Sequence, residues 1–160
     1  MNINDTPADT LAGLLGRGAP RAPDRASLEA WGQALGAVLP RASVIALLGD
    51  LGVGKTTLVR AICEGLGVFN PSAVTSPTFA LIQEYASPLG RIVHADLYRL
   101  RSGAELEALG WDELVESAAV VLVEWPERVA DTLSPDTITI ELRHDPDHAD
   151  RRSLSVRSAR

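Results

Sequence analysis

Lysine is almost missing from this sequence: Lys55 is the single lysine among 15 basic residues, and the rest are arginine. A second lysine-dependent motif is therefore impossible, including the Asn-Lys-x-Asp signature of guanine recognition. Cysteine is equally scarce. Cys63 stands alone, which rules out an internal disulfide and suits a reducing compartment. Aromatic residues make up only 4% of the 160 residues, and no apolar run approaches the roughly 20 residues of a membrane-spanning helix. The N-terminus lacks a basic-then-apolar signal pattern, so a cytoplasmic protein with no membrane association is expected. Positive charge is in deficit as well. A net charge of −6 argues against a surface that coats nucleic acid, because phosphate backbones reward basic faces. The apolar content of 46% fits one globular domain that buries about two-thirds of its unfolded surface.

What is present is a phosphate cradle. Gly49-Asp50-Leu51-Gly52-Val53-Gly54-Lys55-Thr56-Thr57 matches G-x-x-x-x-G-K-[ST], a pattern that average residue usage produces on the order of once in a few hundred chains of this length. Its context strengthens it. Ser43 to Leu48 is a short apolar run suited to a buried parallel strand, and Leu58, Val59, Ile62, Cys63 and Leu66 share one helical face. Glycines let backbone N–H groups converge on phosphate oxygens, and a helix opening near Lys55 adds its free amides and positive dipole end. Lys55 would reach the β- and γ-phosphates and the Thr56 hydroxyl would ligate Mg²⁺. A sequence that uses arginine at every other basic position keeps its one compact point charge here.

The rest of the chain divides into recognisable pieces. Residues 1–26, rich in Pro, Gly, Ala and Asp with one short apolar patch at Leu11, Leu14 and Leu15, suggest an irregular, loosely ordered arm with room for one helical turn, ahead of a domain over 27–158. Leu28, Trp31, Leu35, Val38 and Leu39 have helical spacing with Ser27 as N-cap, and Gly65 and Gly67 close the helix that follows the cradle. Thr78 to Ala86 and Arg91 to Ala95 read as a hairpin. Thr75, Ser76 and Thr78, in the loop entering it, are either capping turns or hydroxyls that sense γ-phosphate and Mg²⁺. Asp96 ends the second strand, where it either handles a water near the phosphates or serves as an N-cap or a partner for Arg99. Two short helices follow, Ala104 to Leu109 and Trp111 to Glu116. Ala118 to Glu124 is a second apolar strand closing on an acid, the Walker B arrangement in which Glu124 would hold Mg²⁺ through water. Trp125 either flanks the nucleotide or packs, and Pro126 opens a short helix running to Leu133. Asp136 to Leu142 and Ser153 to Val156 alternate as strands. The loop between them, with His144, Asp145, Asp147, His148 and Asp150, reads as a polar hairpin turn rather than a metal cluster. Cys63 reads as a packed core side chain.

Four pieces in this order carry a family resemblance: the cradle, Ser76-Pro-Thr-Phe79, His94-Ala-Asp-Leu-Tyr-Arg-Leu100 and Val123-Glu-Trp-Pro-Glu127. Together they resemble the TsaE (YjeE) family over about Ser27 to Val156. The resemblance implies an α/β, three-layer P-loop NTPase-like fold around a mixed, mostly parallel sheet. It further implies a Mg²⁺-dependent ATPase, weak alone and stimulated by partners, required with TsaB and TsaD for threonylcarbamoylation of adenosine 37 in tRNA, with tRNA met only through the complex. By that likeness the nucleotide site is Gly49 to Thr57 with Trp125. Thr56 and Glu124 hold Mg²⁺, Lys55 and Glu124 act with Asp96 in hydrolysis, and Ser76 and Thr78 belong to a switch-like segment. A basic residue near the last strand corresponds to Arg151 or Arg152. The competing expectations are a small-molecule kinase of the P-loop class and a nucleotide sensor that does not hydrolyse.

Overall fold

A computed structural model describes residues 7–158. Its centre is the apolar run β1 (Ser43–Leu48), which pairs in parallel with β4 (Val120–Glu124) on one side and β5 (Ile138–His144) on the other. β3 (Gly90–Asp96) extends the parallel core beside β4. Each rim is closed by an antiparallel partner, β2 (Ile82–Ser87) on β3 and β6 (Arg152–Arg157) on β5, giving the order β2-β3-β4-β1-β5-β6. Strands buried on both faces read as continuous apolar runs, and the period of two sorts their side chains. Ile45, Leu47, Val120, Leu122, Ile140 and Leu142 face one core with α1 (Pro7–Leu15), α2 (Arg25–Val38) and α3 (Lys55–Gly65). Val93, Ala95, Val121 and Val123 face a second core with α4 (Gly103–Ala108) and α5 (Trp111–Ser117). The expected α/β three-layer architecture is the observed one. No helix among the described residues is long and apolar enough to cross a membrane.

Several local expectations differ from the structure. In place of an irregular arm with one turn, Pro7–Leu15 is a nine-residue helix. Leu11, Leu14 and Leu15 pack on the first core, and the Trp31 indole donates to Leu14 O at 3.1 Å. The arm then runs along β6, with Arg21 O and Pro23 O each accepting an amide hydrogen bond at 3.0 Å, from Leu154 and Arg152. Residues 1–6 of the expected arm lie outside the described residues. The cap of α2 is Asp24, not Ser27, because the Asp24 carboxylate accepts from Ser27 N at 2.8 Å and three further residues, Arg25 to Ser27, join the helix.

Gly65 stops nothing: it is the last residue of α3, and a Cβ there would lie 2.0 Å from Gln33 O. Gly67, at φ 74°, is the residue that turns the chain. The strand expected from Thr78 begins only at Ile82, after a turn closed by Leu81 N donating to Pro77 O at 2.7 Å. The helix expected up to Leu133 is two single 3₁₀ turns, Pro126–Arg128 and Ala130–Thr132. Cys63 is fully buried, and burial pushes its thiol up to about 12, in keeping with a packed rather than reactive side chain.

Candidate nucleotide site

Parallel strands β1, β3 and β4 all end at the same side of the sheet, and the candidate residues sit at those ends. Register fixes their neighbourhood: Glu124 pairs with Leu47 of β1 and with Asp96 of β3. The loop leaving β1 must turn sharply into α3. Gly49, at φ 143°, passes so close to β5 that a Cβ would lie 2.4 Å from Leu142 O. Gly54, at φ 117°, is the α3 N-cap and supplies no side-chain acceptor, so the first amides of α3 remain open to an anion.

Lys55 is buried at the start of α3. Its Nζ donates to Gly49 O at 2.6 Å and Asp50 O at 2.8 Å, and lies 4.4 Å from the centroid of the Trp125 ring. Burial lowers its pKa below the ordinary lysine range, and the carboxylates of Glu124, Asp96, Glu127 and Asp50 pull it back up. Trp125 adopts a left-handed backbone conformation at φ 60°, which brings its ring over the ammonium, and Tyr98 packs against that ring with centroids 4.9 Å apart.

The acid from the distant strand meets the cradle. Thr56 Oγ1 donates to Glu124 Oε1 at 2.9 Å, across 68 residues of sequence. His94 Nε2 lies 2.9 Å from the same oxygen. Asp96 is also buried, 3% exposed, and receives Tyr98 N on Oδ1 at 3.1 Å. Its Oδ2 accepts a short hydrogen bond from Ser76 Oγ and a long one, 3.4 Å, from Thr78 Oγ1, while the two hydroxyls bond each other at 2.7 Å. Arg60 of α3 anchors the beginning of that segment through two bonds to Val74 O. The expected residues therefore converge at one end of the sheet in two contact sets, Thr56 with Glu124, and Lys55 with Trp125, linked through Tyr98 to Asp96, Ser76 and Thr78.

A hydroxyl touching a carboxylate beside open helix amides is a hard, oxygen-rich set that fits Mg²⁺ shared with phosphates, an ion that completes its shell with water and substrate rather than a protein cage. Buried acids also outnumber buried ammonium groups here, Glu124 and Asp96 against Lys55, and a divalent cation would offset that excess. Among the described residues no three His, Cys, Asp or Glu side chains form a cation site of their own. The loop after β5 is a turn: Asp145 Oδ1 accepts from Asp147 N at 2.9 Å and His148 N at 3.1 Å.

Of the two arginines open in the sequence reading, Arg152 reaches the cradle, donating from Nε to Val53 O at 2.8 Å. Sequence reasoning gave no role to His94 or Tyr98. The signal for His94 was its spacing: two residues before Asp96 on one strand, it shares a face with that acid.

The chain is similar in sequence and fold to known proteins. The family model "Threonylcarbamoyl adenosine biosynthesis protein TsaE" matches residues 22–154. A tRNA threonylcarbamoyladenosine biosynthesis protein TsaE from Treponema pallidum is 41% identical over 113 residues, 71% of this chain and 82% of that protein. Its counterpart from Aquifex aeolicus is 44% identical over 91 residues, 57% of this chain and 63% of that protein. Among solved structures, Bacillus subtilis YdiB superposes with a TM-score of 0.68 at 27% identity, covering 88% of this chain and 84% of that one.

Proposed function

The chain belongs to the TsaE family of tRNA threonylcarbamoyladenosine biosynthesis proteins, and from that premise we propose that it is the pathway's Mg²⁺-dependent ATPase, working with TsaB and TsaD. The observation that carries this reading is the 2.9 Å hydrogen bond between Thr56 Oγ1 and Glu124 Oε1, which joins the phosphate loop to the acid of β4. The open amides of Gly54 to Thr56 and the Lys55 ammonium bind the triphosphate. For Lys55 this means exchanging the carbonyls of Gly49 and Asp50 for phosphate oxygens. Thr56, by donating its proton to Glu124, would keep its oxygen lone pairs available to Mg²⁺, and Glu124 would hold the ion through water. Bound beside these residues, Mg²⁺ would supply positive charge that offsets the charge developing on the phosphates.

Asp96 is the acid that orients the attacking water. In the free protein its Oδ2 accepts from Ser76 and Thr78, and a shift of the segment carrying those hydroxyls would free that oxygen for water. That shift ties hydrolysis to whatever contacts the segment. Phe79, 86% exposed beside Thr78, and Leu51, 70% exposed in the phosphate loop, each offer apolar surface to a partner. Trp125 and Tyr98 supply the aromatic wall beside the phosphates. The reading is tested in cells whose own TsaE has been removed and replaced by this chain. Lys55→Ala is expected to abolish threonylcarbamoyladenosine in hydrolysed tRNA, measured by mass spectrometry, whereas wild-type levels in that variant would refute it.

A further inference from the structure

His94 is the most deeply buried polar side chain near the site, with no exposed surface, and only one of its two ring nitrogens is satisfied. Nε2 is bonded to Glu124 Oε1, while Nδ1 has no hydrogen-bond partner among the described residues. A carboxylate can only accept, so the neutral ring carries its proton on Nε2 and donates it to Glu124. A histidine retained for packing alone would have both nitrogens paired, or would be replaced by an apolar side chain, since an unpaired buried polar atom costs roughly 1–3 kcal/mol. This one is paired on one side only, and that side is the site's acid. Its ring is set by β3, whose register places His94 beside Leu122 of β4, and by Tyr85, whose ring centroid is 6.4 Å away.

We propose that His94 is a positioning residue for Glu124, fixing the carboxylate through Oε1 so that it can serve Mg²⁺ together with Thr56. The inference rests on the assignment of Glu124 and Thr56 to Mg²⁺ made above. Glutamate has three side-chain torsions, and the strand backbone chiefly restricts the first of them. Two donors converging on one oxygen, Thr56 Oγ1 and His94 Nε2, each at 2.9 Å, select a single pose. Oε2 takes no side-chain hydrogen bond from the described residues. Donors behind a metal-serving group commonly govern about 10–100-fold of metal affinity. His94 does this without touching the metal or the nucleotide.

The test measures ADP affinity by calorimetry in excess Mg²⁺ and in chelator, the ratio being the gain contributed by the metal. It compares the wild-type chain with His94→Phe, His94→Asn and His94→Gln, each first checked for a cooperative thermal transition. Phe removes the donor and Asn falls short of Glu124, so both are expected to cut the metal gain by about 10-fold while leaving the affinity in chelator within about threefold. Gln, whose amide nitrogen reaches the position of Nε2, is expected to retain the gain. Should Phe fail to fold, the contrast between Asn and Gln decides. A wild-type gain that persists in folded His94→Asn overturns the proposal alone. So does a loss shared equally by Asn and Gln and present in chelator, the mark of a merely structural role. A wild-type protein with no metal gain overturns it together with the assignment of Glu124 and Thr56.

Discussion

Lys55 is a buried cation in the free protein, and on the function proposed above it would also be a phosphate ligand in the complex. Its lowered pKa arises from burial, and that gives the pH dependence a sign. Below the depressed value the ammonium is present and binds phosphate, at the cost of a desolvated charge in the free fold. As pH rises through that value the proton leaves, the cost to the free fold disappears, and phosphate affinity falls. ATP affinity measured across the alkaline range is therefore expected to decline before the 10.5 of an ordinary lysine is reached, and Lys55→Arg is expected to remove the decline. A wild-type affinity flat to that pH would refute a buried, titrating Lys55. At this scale the motif residues were legible because each sits in a local pattern: Lys55 and Thr56 in the cradle, Glu124 at the end of an apolar run. His94 was not, because what distinguishes it is a partner 30 residues away on another strand.

The helices show how tightly the elements are fitted. α2 and α3 approach so closely that a Cβ on Gly36 would lie 2.1 Å from Ile62 O, and one on Gly65 would lie 2.0 Å from Gln33 O. Both contacts are with backbone, which cannot step aside as a flexible side chain can. Gly36→Ala, normally favourable inside a helix, is therefore expected to destabilise the protein by about 3 kcal/mol in urea unfolding. A stabilised variant would mean the two helices are not packed as described. Periodicity placed α2 and α3 correctly, but a glycine needed for close approach looks the same in sequence as one that ends a helix. Asp24 was overlooked as the cap for a related reason. Ser27 and Asp24 are both capping residues, and only the hydrogen bond from Ser27 N to the Asp24 carboxylate separates them.

For the molecule as a whole, the order of strands was the least legible feature, because it depends on pairings such as β1 with β4 that no local pattern encodes. Yet that order does the work of assembly, setting Glu124 between Leu47 and Asp96 and bringing Arg152, from the far rim, onto the carbonyl of Val53. The negative balance of the chain, −6, has a consequence at the same scale. Alone, it is expected not to retard tRNA in a gel at physiological salt, since substrate RNA would be met only through the complex. Retardation by the chain alone would place an RNA-binding face on it.

Hydrolysis is measured most directly as phosphate released from ATP with Mg²⁺, with and without purified TsaB and TsaD, by the wild-type chain and by Asp96→Ala. Slow release that rises with the partners and vanishes in Asp96→Ala, while ATP still binds that variant, is the expected outcome. Release unaffected by Asp96→Ala, or none from the wild-type chain even with both partners present, would contradict it.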